Sequence, residues 1–264
     1  RRTHPRLITV DISGYGESGP YSRMKAYDLL VQAESGLASI TGHPAGPGRV
    51  GVSVVDIATG MNAHAAVLEA LIARGITGQG AAIAVSLFDA MADWMNVPLL
   101  FFEGTGRAPA RMGLAHPSIC PYGAFALADG AEVLISIQNE REWAGFCAGV
   151  LGEPDLPTRE GWRSNKERVA NRAAVDAHIG AAFAGLTRAE AAAKLDAAGT
   201  AYGFVNGVAD LARHPALRRI TAPTPNGPVS LAAPAVLMDG APRGALRVPA
   251  LDEHGAAIRR EFGA

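Results

Sequence analysis

Gly51-Val-Ser-Val-Val-Asp56-Ile-Ala-Thr-Gly-Met61 carries an apolar run into a single acid and then opens into a helical pattern. Beyond the acid, small and apolar residues recur at Ile57, Ala58, Met61, Ala65, Leu68 and Ile72. Spacings of three and four predict an amphipathic helix that Gly75 ends. Asp56 therefore falls at a helix N-terminus, where unpaired N–H groups and the positive end of the helix dipole favour its ionised form. Two roles fit that position. Asp is a common N-cap, worth about 0.5–2 kcal/mol, and an ionised carboxylate is also a nucleophile. The two are compatible.

Working outward, Val50 to Val55 reads as a strand that delivers Asp56, and Thr77-Gly-Gln-Gly80 as a tight turn into Ala81 to Leu87. The latter is a near-continuous apolar run of the kind buried in a parallel sheet. Residues 50–87 thus read as one βαβ unit, with Asp56 at the carboxyl end of a strand, where ligands bind in open α/β sheets. Leu7 to Ile12 is a further strand, expected beside those at Val50 and Ile83. The glycines Gly14-x-Gly16-x-x-Gly19 match a dinucleotide fingerprint in form only. Pro20 and Tyr21 stand where a helix should begin, and no acid follows about twenty residues on. Ala26 to Leu37 reads as a helix with Leu29, Leu30, Ala33 and Leu37 on one face and Lys25 and Tyr27 at its entrance. Phe88 to Phe102 reads as another, with Met91, Trp94, Met95 and Leu99 inward, a stripe more typical of core than of a cofactor box.

Downstream, Tyr122 to Ala126 and Glu132 to Ile137 read as a hairpin around Asp129-Gly130. Helices are expected at Glu140 to Leu151, Asn165 to Ala184 and Arg188 to Ala198, the last opened by the capping box Thr187-x-x-Glu190. Tyr202 to Asn206 is a short strand. The fold class is α/β: a Rossmann-like parallel-sheet large domain over 1–105, a linker over 106–121, a smaller α+β domain over 122–208, and a return segment over 209–264.

With 264 residues, 48% of them hydrophobic, the chain can bury a large core. A net charge of -1 with dispersed Lys and Arg gives no footprint for nucleic acid or an anionic membrane. No apolar run reaches the roughly 18 residues of a membrane span, and Arg1-Arg-Thr-His-Pro has no signal-peptide core, so the expected location is the cytoplasm. Cys120 and Cys147 lack zinc-site spacing, and no metal or bound cofactor is expected.

Several ordered blocks resemble the family III CoA-transferases, the group that includes formyl-CoA transferase and the carnitine and bile-acid CoA-transferases. They are Pro5-Arg-Leu-Ile-Thr-Val-Asp-Ile-Ser-Gly-Tyr-Gly16, Gly19-Pro-Tyr21, Tyr27-Asp-Leu-Leu-Val-Gln-Ala33, Val55-Asp56-Ile-Ala-Thr-Gly60, Arg111-Met-Gly113 and Pro121-Tyr-Gly-Ala-Phe125. His116-Pro-Ser118-Ile119, Ile135-Ser-Ile-Gln-Asn-Glu-Arg-Glu-Trp143, Ser164-Asn165 and Asn171-Arg172 are similar to the subgroup acting on C4 and C5 dicarboxylic acids such as mesaconate, itaconate, citramalate and malate.

The resemblance implies a function. The residue matching Asp56 carries the acyl group and then CoA as an aspartyl ester. The match to Lys25 contacts CoA phosphates and the match to Tyr27 lines the acyl site. His116, Ser118 and Ile119 are the expected substrate-binding residues; the amides of Ala58 and Thr59 are candidate oxyanion donors by their position just after Asp56 only. Acyl-CoA and small carboxylic acids are then the partners, in an interlocked homodimer. Two readings compete: an inactive family member, and an α-methylacyl-CoA racemase, which has histidine where this chain has Tyr27. A phenol of pKa about 10 is a poor proton carrier near neutrality. The sequence departs from the family at Leu114-Ala-His-Pro-Ser-Ile-Cys-Pro121, where a glycine-rich flap is usual, and at Asp252, where glycine is usual. By the resemblance, the chain is expected to be a fragment that lacks roughly a hundred residues, the size of a small domain, which open the family's nucleotide-binding domain. Apolar side chains are therefore expected to stand exposed beside the sheet.

Overall fold

The computed structural model describes residues 3–242, 244 and 247–263, and divides after Gly203 into two compact units. The first begins with β1 (Thr9–Ser13), α1 (Asp28–Glu34), α2 (Leu37–Ile40), a small hairpin of β2 (Gly42–His43) and β3 (Gly46–Pro47), and α3 (Val54–Thr77). It continues with β4 (Ala82–Ser86), α4 (Leu87–Trp94) and α5 (Asn96–Thr105). β1 and β4 pair in parallel, from Thr9 opposite Ala82 to Ser13 opposite Ser86. The turn before β4 needs glycine. Gly80 donates its N–H to the Pro5 carbonyl at 2.8 Å, and a Cβ there would run into the Leu7 carbonyl.

The expected strand over Val50 to Val55 does not form, and the βαβ reading of 50–87 is corrected accordingly. Val54 already opens α3, and the parallel partner of β4 is β1. The Val55 side chain is fully buried against Val31, Ala58 and Met91, and its N–H is taken by the Asp28 carboxylate. Burial and capping here outweigh the β preference of two valines. Nor does Gly75 end the helix. α3 runs 24 residues to a left-handed Gly78, φ 73°.

Other faces also shift. In α1 the buried residues are Val31 and Gln32, while Leu29 and Leu30 are exposed. The helix expected over Phe88 to Phe102 breaks at Met95, because Pro98 in the first turn of α5 has no N–H to continue a ladder. Met91 is buried as expected, whereas Trp94 and Leu99 are exposed. Apolar side chains stand open on this group of elements as expected, among them Ile12, Met61, Ile72, Val97, Leu100 and Phe102.

The rest of the unit is β5 (Tyr122–Ala126), β6 (Glu132–Ser136), α6 (Glu140–Phe146) with a π turn over Cys147–Leu151, α7 (Asn165–Ala170), α8 (Arg172–Phe183) and α9 (Arg188–Ala197). β7 (Ala201–Phe204) completes a sheet ordered β5-β6-β7. The hairpin turns at Gly130, φ 80°, and both bonds of the Thr187–Glu190 capping box are present. The helix expected over 165–184 breaks at Asn171, which leaves helical dihedrals. Trp143, Phe146, Ile179, Phe183 and Leu195 form the core.

The second unit holds α10 (Val208–Leu211), the antiparallel pair β8 (Arg219–Ala222) and β9 (Val229–Ala232), the pair β10 (Leu237–Met238) and β11 (Ala241–Pro242), and α11 (Gly255–Phe262). Asp252 lies in the left-handed region, φ 57°, which accounts for a preference for glycine at that turn. Among the described residues no helix is long and apolar enough to cross a membrane.

Candidate active site

Asp56 is the third residue of α3 and exposed. Its neighbours Val55, Ala58 and Thr59 are buried, so the helix turns those residues into the core and leaves the acid on the open face. The N–H groups of the first turn are largely spoken for. Val54 donates to the Val52 carbonyl at 2.8 Å, Val55 to Asp28 Oδ1 at 2.8 Å, and Ile57 to the Ser53 carbonyl at 3.0 Å. Among the described residues no donor bonds the Asp56 carboxylate, so the capping role falls to Asp28. Sequence spacing did not reveal this, because Asp28 lies 27 residues away and reaches the helix only through the fold.

Ala58 and Thr59, the candidate oxyanion donors, are both buried in α3. Both lie beyond the first turn, where an α-helix commits each N–H to the carbonyl four residues back. Lys25 and Tyr27 are exposed at the entrance to α1, Tyr27 to 70%, and the Tyr27 carbonyl accepts the helix's first bond from Val31 at 3.1 Å.

His116, Ser118 and Ile119 form a second group. The Ser118 N–H donates to His116 Nδ1 at 3.2 Å, and the imidazole stacks on Tyr122 with centroids 5.3 Å apart. Three residues of α7 and α8 grip this segment by its carbonyls. Arg172 Nη2 donates to His116 O at 2.7 Å and Ile119 O at 2.8 Å, Asn165 Nδ2 to Ser118 O at 2.8 Å, and Arg168 Nε to Cys120 O at 2.7 Å. Arg168 is only 1% exposed. Its Nη1 donates to Glu140 Oε2 at 2.6 Å, and its guanidinium lies 4.9 Å from the centre of the Trp143 ring. Burial works to raise the Glu140 carboxyl, but hydrogen bonds from Arg168 and the Asn165 N–H, with the Arg168 charge, hold it below its usual value. The resemblance picked out Asn165 and Arg172 as pattern. Their grip on the segment is legible only in three dimensions.

No hydrogen bond, ion pair or ring contact among the described residues joins the His116 group to the Asp56 group. The segment between them does dock. Arg111 donates to the carbonyls of Ser39, His43 and Pro44, at 3.0, 3.2 and 3.4 Å. Burial pushes the Cys120 thiol up to about 11 and the Cys147 thiol up to about 12, so neither is a thiolate near neutrality. Among the described residues no cluster of three or more His, Cys, Asp or Glu could hold a metal ion.

The chain belongs to CoA-transferase family III, whose model matches residues 1–255. It is 36% identical over 270 residues to the acetyl-CoA:oxalate CoA-transferase of Acetobacter aceti, covering 100% of this chain and 68% of that protein. To the succinate–glutarate CoA-transferase of Agrobacterium fabrum it is 36% identical over 176 residues, covering 66% of this chain and 44% of the relative. A solved CAIB/BAIF family protein from Brucella suis superposes with a TM-score of 0.80 at 35% identity, covering 97% of this chain and 68% of that one. The chain thus spans only part of the length of each.

Proposed function

We propose that the protein moves CoA between small carboxylic acids through a CoA thioester on Asp56. The observation that carries this is the Asp56 carboxylate itself: exposed, without a hydrogen bond among the described residues, and on the open side of a helix start that buries Val55, Ala58 and Thr59. A carboxylate oxygen attacks the donor thioester carbonyl, the C–S bond breaks, and CoA leaves as thiolate from a mixed anhydride. The thiolate returns to the aspartyl carbonyl and releases the donor acid. The acceptor carboxylate then attacks the aspartyl thioester and expels the thiolate again, and attack of that thiolate on the acceptor's acyl carbon regenerates Asp56. Each step passes through an oxyanion that backbone N–H donors stabilise. CoA is therefore a substrate and not a resident cofactor.

The acids are C4 or C5 dicarboxylates. His116-Pro-Ser118-Ile119 supports this, as do the succinate and glutarate in one relative's name, whereas the oxalate in another's is a two-carbon dicarboxylate. Lys25 binds CoA phosphates, and Tyr27 with His116, Ser118 and Ile119 lines the acid site. A cytoplasmic, interlocked homodimer is the assembly this reading carries with it.

The test is chemical. Incubation with acyl-CoA followed by hydroxylamine or borohydride should modify Asp56 and no other residue, as read by peptide mass. Asp56→Asn should fold and lose turnover, since the exposed Asp56 carboxylate makes no hydrogen bond among the described residues that the fold would lose. Full turnover in that variant would end the proposal.

A further inference from the structure

Asp28 and Gln32 carry no role in the reaction as written above, yet they control the turn that bears the reacting acid. Asp28 Oδ1 accepts the N–H of Val55, the residue immediately before Asp56, at 2.8 Å. Its other oxygen, Oδ2, accepts from Gln32 Nε2 at 2.8 Å, and Gln32 Oε1 accepts the Val50 N–H at 2.9 Å. Gln32 is fully buried. Its amide has one satisfactory orientation, nitrogen to the acid and oxygen to the backbone, because the carboxylate accepts only and the Val50 N–H donates only. The chain of bonds runs from Val50 through Gln32 and Asp28 to Val55, and so spans the loop that leads into α3.

Two facts give this chain a consequence for Asp56. Ser53, the N-cap residue of α3, makes no side-chain cap bond, so Asp28 stands in for it from α1. Among the described residues Asp56 has no hydrogen bond to direct its side chain, so the backbone of the first turn sets where its carboxylate points. We propose that Asp28 and Gln32 are positioning residues that aim the Asp56 carboxylate and, by taking the cap, leave it free to react. The proposal rests on Asp56 being the nucleophile.

Donor and acceptor polarity supplies the test. In Asp28→Asn the new amide cannot both accept from Val55 and accept from Gln32, so two N–H₂ groups face each other or Val55 loses its partner. Adding Gln32→Glu restores the match to position 28 and the Val50 N–H: the amide introduced at position 28 accepts from Val55 and donates to the carboxylate introduced at position 32, which still accepts from the Val50 N–H. Only the long 3.5 Å bond from Gln32 Nε2 to the Val50 carbonyl is given up. Net charge is then that of the wild type. The assay is the single-turnover rate of CoA-ester formation on Asp56 by rapid quench and mass spectrometry, with kcat, KM for acyl-CoA and thermal unfolding in parallel. Asp28→Asn is expected to slow ester formation about tenfold or more, as a misaimed reacting group does. KM is expected to hold within about twofold, and the double variant to recover most of the rate.

A wild-type rate in the single variant overturns the proposal, and so does a double variant no better than the single. If the single variant does not fold, the double decides: near-normal ester formation supports the clamp and its loss overturns it. Asp56→Asn run alongside separates the two claims. Retained turnover there defeats the nucleophile itself, whereas its loss together with an unaffected Asp28→Asn defeats only the clamp.

Discussion

Replacing Arg168 by Met keeps most of the side chain's apolar stem and removes every donor it supplies. The Cys120 carbonyl, on a fully buried residue, loses its 2.7 Å partner. An orphaned buried acceptor costs about 1–3 kcal/mol. The 3.2 Å bond to the Trp162 carbonyl contributes about 1 kcal/mol more. Contact with the Trp143 ring is worth about 0.5–2 kcal/mol at a desolvated site. Glu140 adds little, because its side chain is 53% exposed and returns to water when the guanidinium goes, a loss of about 0–1 kcal/mol. The expected total is about 2.5–7 kcal/mol, a large share of the roughly 5–15 kcal/mol that stabilises a domain. Urea unfolding followed by circular dichroism measures it, with Glu140→Gln as the companion variant, expected to lose less than about 1 kcal/mol. The pH dependence has a definite sign. Glu140 has a lowered folded-state pKa, so its contribution is present above its ordinary value of 4.5 and fades as pH falls through the lowered one. The gap between wild type and Glu140→Gln should therefore close in acid. A loss below about 1 kcal/mol for Arg168→Met, or equal losses for both variants, would refute the assignment of the energy to buried carbonyls.

Gly80→Ala drives a Cβ into the Leu7 carbonyl and should cost about 1–3 kcal/mol by forcing β1 from β4, read as a lower Tm. Asp176→Asn should raise stability at pH 7. Burial raises the Asp176 carboxyl, partly offset by Arg172, so its ionised form is disfavoured in the fold, and the gain should vanish below the ordinary value of 3.8. Tyr27→His supplies a proton carrier near neutrality, and deuterium at the substrate α-carbon should appear in that variant and not in the wild type. Robust exchange by the wild type would favour racemisation.

The amino-acid sequence by itself determined whatever local chemistry decides. The Asp129-Gly130 turn formed because only a left-handed residue closes that hairpin, and the Thr187–Glu190 box because both partners lie within one helical turn. Six ordered motif blocks determined the family, and placed Asp56 in the first turn of a helix. Tertiary structure decided the rest. Val54 and Val55 became helix instead of strand because burial against Val31 and Met91, with a cap from Asp28, exceeds the small intrinsic preference of β-branched residues. For the same reason the partner of β4 is β1, and the inward face of α1 is Val31 and Gln32 instead of its leucines. The Asp28–Gln32 bonds to the start of α3 and the Arg168 and Arg172 grip on residues 116–120 join positions between 18 and 56 residues apart. Hydrogen-bond partners that distant leave no periodic trace along a chain, because what selects them is proximity in the folded core.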